Sequence, residues 1–149
     1  MDVYCDGASR KDGRGGWGFA VYVASRQGDT EIAYDFGGTY NTSSNRMELK
    51  AAIMAVRWLP VGAAATLHSD SKYVIDGILE HMDIWLRTGW RSSSNQAVKN
   101  VDLWVELANL DVDRVLSWQW VKGHSGVVGN ERADELAGLG VPKEVKETK

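Results

Sequence analysis

Four carboxylates stand where the surrounding pattern calls for apolar or small residues: Asp6, Glu48, Asp70 and Asp134. Each lies in a short stretch that places it on the buried side of a strand or helix, or at the edge of one, where an unpaired acid is costly. A fold that accepts this chain must therefore solve four problems together. With no bases matched to them, the acids point to divalent cations, which are hard and take oxygen ligands. Two such ions held by carboxylates are a common apparatus for hydrolysing a phosphodiester.

Turn signals and apolar runs set the scaffold. Residues 3–5 begin a strand that breaks at Gly7. Gly13, Gly15 and Gly16 then turn the chain into a second β-rich run over 17–24. A Gln27-Gly28-Asp29 turn leads to a third strand over 31–37, so short connections predict an antiparallel meander. Ser43 or Ser44 caps a helix over 45–59 that Pro60 ends. A strand over 65–69 follows, then a brief helix over 71–77 and a second over 79–87. The polar stretch 88–100 reads as an exposed loop, 101–110 as a helix, 115–121 as a strand, 123–129 as a glycine-rich loop and 130–139 as a final helix. The sum is an α/β fold: a five-stranded mixed sheet, three strands antiparallel and two parallel, flanked by helices. At 149 residues, with no repeat or linker, residues 1–141 read as one domain with a substantial core. Residues 142–149 read as a charged, disordered tail.

Within that scaffold the acids can meet. At about 100° per residue, Glu48 falls in line with Ala52, Ala55, Val56 and Leu59, opposite Arg46, Lys50 and Arg57. The alternative is a capping acid at the helix start. Asp6 follows Val3-Tyr4-Cys5 and Asp70 closes Leu67-His68-Ser69, so a parallel pairing makes them neighbours. Asp70 could instead cap the helix beginning at Ser71. Asp134 flanks the small face of Ala133, Leu136 and Ala137, and alone reads as a solvated helix acid. Singly each signal is modest. Their coincidence in four separate segments is what carries weight.

Cys5 is the only cysteine, which excludes an internal disulfide and fits a reducing compartment. It reads as a small buried filler. No export signal and no apolar run near the ~20 residues of a bilayer span are present, so the expectation is a cytoplasmic protein without membrane contact. The formal charge of −3 speaks mildly against nucleic acid. Four acids neutralised by two divalent ions would reverse that sign. Seven tryptophans are many for this length, and some should serve a surface.

Three stretches are more specific: Asn45-Arg46-Met47-Glu48-Leu49, Val98-Lys99-Asn100-Val101-Asp102-Leu103-Trp104, and Trp120-Val121-Lys122-Gly123-His124-Ser125-Gly126, the last running on through Asn130-Glu131-Arg132-Ala133-Asp134. With Asp6-Gly7-Ala8-Ser9 and Ser69-Asp70-Ser71 they resemble, in register, bacterial type 1 ribonuclease H, from Asp6 to about Gly138. The resemblance implies the ribonuclease H-like fold. It also implies an endoribonuclease that hydrolyses the RNA strand of RNA–DNA hybrids and leaves 5′-phosphate and 3′-hydroxyl ends. Asp6, Glu48, Asp70 and Asp134 would be both catalytic and metal ligands, holding two Mg²⁺ ions with Mn²⁺ as substitute. His124 would be the family's catalytic loop histidine, assisting proton transfer or product departure. A monomer without an obligate protein partner is the family expectation.

Substrate contacts follow from the same resemblance. Ser9, Ser44 and Asn45 would lie near the 2′-hydroxyls of the minor groove. Ser43 and Asn100 would form a pocket for a DNA-strand phosphate. Trp85 and Trp90, among Arg87, Arg91 and Lys99, would grip the DNA strand by its backbone. Lys72 and Asn130 complete the expected contacts. Trp85 could instead pack helix to sheet, and Trp104 reads as core. The chain departs from the family in its protrusion, where Arg91-Ser92-Ser93-Ser94-Asn95-Gln96 replaces a lysine-rich run. Fewer phosphate contacts predict weaker hybrid binding and a flatter salt dependence. Integrase-like nucleases share the fold but generally lack the Lys122-Gly123-His124 loop, and a silent hybrid-binding module would be expected to have lost an acid.

Overall fold

The computed structural model describes residues 1–144. Three antiparallel strands open the chain: β1 (Asp2–Ser9), β2 (Gly15–Ser25) and β3 (Gly28–Thr39). Helix α1 (Ser44–Trp58) crosses to β4 (Ala64–Ser69), which pairs parallel to β1. Helices α2 (Lys72–Asp76), α3 (Met82–Thr88) and α4 (Val101–Asp111) precede β5 (Val115–Trp120), parallel to β4, and α5 (Val128–Gly140) closes the described chain. The sheet order is β3-β2-β1-β4-β5, the expected mixed sheet.

Strand alternation divides β1 between two layers. Val3 and Cys5 enter the main core with Phe19, Leu67, Trp118 and the inner face of α1, while Tyr4 meets Tyr22 and Leu136 on the α5 side. Helix α1 is buried along most of its length, from Met47 through Val56, and Ser43 caps it by accepting from the Arg46 amide at 3.3 Å. Trp104 is fully buried and Cys5 nearly so, both as the sequence predicts.

Several boundaries differ from expectation, each for a packing reason. Gly7 does not break β1: pairing continues from Gly7↔Trp17 to Ser9↔Gly15. A glycine is required there because any Cβ would overlap the α1 backbone at Met47 and Glu48. Gly15 and Gly16 belong to β2 rather than to the turn, and Gly16 admits Ala137 and Gly140 of α5 at close range. The turn itself spans 10–14, closed by the Arg10 amide on the Arg14 carbonyl at 2.8 Å. The two expected helices over 71–87 join without a gap through a π-helical turn at Gly77–His81. Gly77 lies so near Trp104 that a Cβ would overlap the indole. Helix α5 begins two residues early, at Val128. The stretch 88–100 is exposed but folded back on itself, with a bridge between Arg91 and Ala97, the Val98 amide on the Trp90 carbonyl at 3.0 Å, and Val98 buried.

Of the expected tail, Pro142 and Lys143 offer carbonyls that accept from Arg14 and Tyr40, at 3.0 and 3.1 Å. Residues 145–149 of that tail lie outside the described residues. Among the described residues no helix is long and apolar enough to cross a membrane.

Candidate active site

Three of the four acids converge. Asp6 on β1, Glu48 on α1 and Asp70 just past β4 each place a carboxylate oxygen within 4.8 Å of the other two. Parallel pairing of Cys5 with Ser69 makes Asp6 and Asp70 neighbours, as the strand pattern predicts. Glu48 is not a cap. It is 7% exposed, and its Oε1 accepts from the Gly7 amide at 2.6 Å across the gap that the missing side chain leaves. Asp70 is not a cap either, since Ser71 fills that role by accepting from the Val74 amide at 3.2 Å. Asp134 is half-buried on α5, one turn beyond Asn130, and near enough to raise the pKa of both Asp6 and Glu48.

The electrostatics follow from burial of like charges. Asp6 is 3% exposed. Desolvation, then the Glu48 and Asp70 charges, pushes its carboxyl far above the usual carboxylate range. Desolvation and the neighbouring acids push Glu48 up to about 7, against the lowering effects of Asp6 and the Gly7 amide. Ionised together, these carboxylates need positive charge that the described ion pairs do not supply. Glu48 Oε2 is buried without a hydrogen-bond partner. An all-oxygen donor set with such an orphan atom suits a hard divalent cation.

His124 stands exposed between β5 and α5 in left-handed backbone, at φ 53°. Its neighbour Gly123 lies against the acids, where a Cβ would sit 2.9 Å from Asp70 Oδ2. Asn130 is 2% exposed, and its Oδ1 has no partner. Ser9 ends β1, and Ser44 and Asn45 open α1 at the exposed surface. Asn100, also left-handed, donates to the Tyr73 hydroxyl at 3.0 Å and accepts from Arg46 at 3.3 Å. Ser43 lies before α1 as its cap, where its hydroxyl oxygen accepts from the Arg46 amide and leaves its O–H free to donate.

Trp85, on α3, packs against α4. Half-buried, it packs on Trp104 at 5.2 Å and on Trp90 at 6.2 Å between ring centroids, so the protrusion grows out of the core. Trp90 is left-handed at φ 64°, an uncommon state for a bulky residue. Lys99 is exposed, and Lys72 sets its ammonium over the Trp120 ring, 4.9 Å from the centroid.

Sequence reasoning missed the groups that hold these residues. Arg46 forms a two-pronged pair with Asp102 at 2.7 and 3.0 Å, tying α1 to α4, and Trp104 donates to Tyr73 at 3.1 Å. Partners 56 residues apart leave no mark in periodicity, although both lie inside the specific motifs.

A family model described as RNase H matches residues 1–141. A protein of Hahella chejuensis called "Ribonuclease H" is 48% identical over 149 residues, covering 99% of this chain and 97% of that one. Another so named, from Verminephrobacter eiseniae, is 49% identical over 144 residues, covering 95% and 90%. Among solved structures, LC9-RNase H1, described as a type 1 RNase H with the type 2 active-site motif, superposes with a TM-score of 0.80. It is 28% identical, and the match covers 94% of this chain and 71% of that one.

Proposed function

The chain belongs to the ribonuclease H family and is a nuclease, and from that premise we propose that it cuts the RNA strand of RNA–DNA hybrids endonucleolytically, with two Mg²⁺ ions, leaving 5′-phosphate and 3′-hydroxyl ends. The observation that carries the reading is the meeting of Asp6, Glu48 and Asp70 within 4.8 Å. These three, with Asp134 facing them from α5, would hold the ions, and Mn²⁺ fits the same oxygen donors. When bound, the ions supply an activated water and charge stabilisation at the departing 3′ oxygen.

The chain's own residues do the rest. The Gly7 amide fixes one oxygen of Glu48 and leaves the other free for the cluster. His124, exposed and next to the glycine beside Asp70, would carry a proton to or from the reacting strand. Trp85, Trp90 and Lys99 would meet the DNA strand, and Ser43 and Asn100 one of its phosphates. Ser9, Ser44, Asn45 and Asn130 would read the RNA strand, and Lys72 would meet its phosphates. The chain would act as a monomer in the cytoplasm.

Incubating the protein with end-labelled RNA–DNA hybrid, double-stranded RNA and duplex DNA tests this directly. Cleavage of the hybrid's RNA strand alone, abolished by chelator and restored by Mg²⁺, is the expected result. Equal digestion of duplex DNA, or cleavage that survives excess chelator, would overturn it.

A further inference from the structure

Trp120 ends β5 with its indole 45% exposed, although the same strand face buries Trp118 to 8%. So much apolar surface in water is not explained by the core. Two contacts explain it. The indole N–H donates to the Asp70 backbone carbonyl at 3.1 Å, and the ring face lies 4.9 Å from the Lys72 ammonium. Asp70 sits between β4 and α2, so neither a strand ladder nor a helix orients its peptide. Its flanks are pinned: the Val121 amide donates to the Ser69 carbonyl at 2.9 Å and the Ser71 amide to the Ser69 hydroxyl at 3.1 Å. Trp120 completes the set at Asp70 itself.

We propose that Trp120 is a positioning residue that holds Asp70 through its N–H and stations the Lys72 ammonium on its ring, beside the acid cluster and not within it. The second role matters because Lys72 is two residues from Asp70 and carries a flexible four-carbon arm. Released, its ammonium is drawn to a group of buried carboxylates and competes with a divalent cation there. On the indole face it is held by the ring quadrupole and remains open to a phosphate. The inference rests on the reading of the acids as a cation site.

The test uses full-length protein with three substitutions: Trp120→Phe, which keeps a ring but no N–H, Trp120→Leu, which loses both, and Trp120→Leu with Lys72→Met. Mn²⁺ affinity is read by calorimetry and electron paramagnetic resonance, without substrate, and KM and kcat are read separately on hybrid. A severalfold weaker Mn²⁺ affinity is expected for Trp120→Phe, and about tenfold for Trp120→Leu, recovering to the Trp120→Phe level when Lys72→Met is added. KM should rise in Trp120→Leu and stay near the parent value in Trp120→Phe.

Mn²⁺ affinities within twofold of the parent in every variant would overturn the proposal, as would a Trp120→Leu loss that Lys72→Met does not relieve. If Trp120→Leu fails to fold, fluorine NMR of 5-fluorotryptophan-labelled parent decides. The Trp120 resonance should shift on adding Mg²⁺ and in Lys72→Met, and an unmoved resonance refutes the contact. A parent that binds no Mn²⁺ at all sinks the cation site itself, a separate outcome.

Discussion

Glu48 shows how one residue can carry opposite demands. Its carboxyl titrates near 7 because burial and neighbouring acids disfavour its charge, while cation binding needs that charge. A folded-state value above the unfolded one means that the group's contribution to stability is present at low pH. It is lost as pH rises from the unfolded range near 4.5 through about 7. Asp6, raised further, extends the loss in the same direction. The metal-free protein should therefore melt at lower temperature at pH 8 than at pH 5.5, and Glu48→Gln should narrow that difference. Apparent Mg²⁺ affinity should strengthen across the same window with proton release, which calorimetry in buffers of different ionisation enthalpy would measure; a pH-independent affinity is the contrary outcome. The acids and the loop histidine should also separate by role. Asp70→Asn should nearly abolish turnover, whereas His124→Ala should leave activity that single-turnover kinetics can follow. Equal losses would undo that division.

At the scale of elements, close approach decides where helices sit. Helix α1 reaches β1 only because residue 7 has no side chain, and this contact delivers Glu48 to the Gly7 amide. Helix α5 comes down on Gly16 and Gly18 of β2 in the same way, carrying Asp134 towards Asp6. The π turn at Gly77–His81 lies against Trp104, which in turn meets Trp85 edge to face and donates to Tyr73. Gly77→Ala should thus destabilise the protein by about 1–3 kcal/mol, the usual cost of forcing an extra methyl into a packed core. Chemical denaturation would measure it, and a substitution neutral to within experimental error would mean that the helix relaxes freely around Trp104. Because Trp85 stands on Trp104, the same variant should raise KM for hybrid more than it lowers kcat.

For the whole molecule, charge and topology set the terms of binding. The protrusion carries Arg87, Arg91 and Lys99 beside a run of serines, so few phosphates can be neutralised there. The slope of log affinity against log salt, measured on an uncleaved hybrid with Asp70→Asn, should be shallower than that of a relative with a lysine-rich protrusion. A slope as steep would place the phosphate contacts elsewhere. The antiparallel meander, the α1 stripe, the nearness of Asp6 to Asp70 and the core placement of Trp104 were all legible in the chain, because short turns and periods of two and 3.6 residues report pairing and burial directly. Boundaries at Gly7, Gly15 and Gly77 were not, because a glycine that admits a neighbour's backbone looks the same in sequence as one that turns the chain. Composition and local pattern alone determined which segments become strands and helices and which acids must find a common answer. Only the tertiary structure decided how that answer is held: the Gly7 amide on Glu48, the Arg46–Asp102 pair and the Trp120 indole N–H on the Asp70 carbonyl join partners dozens of residues apart. No local period encodes such pairs, since they form through space after the sheet has set its register.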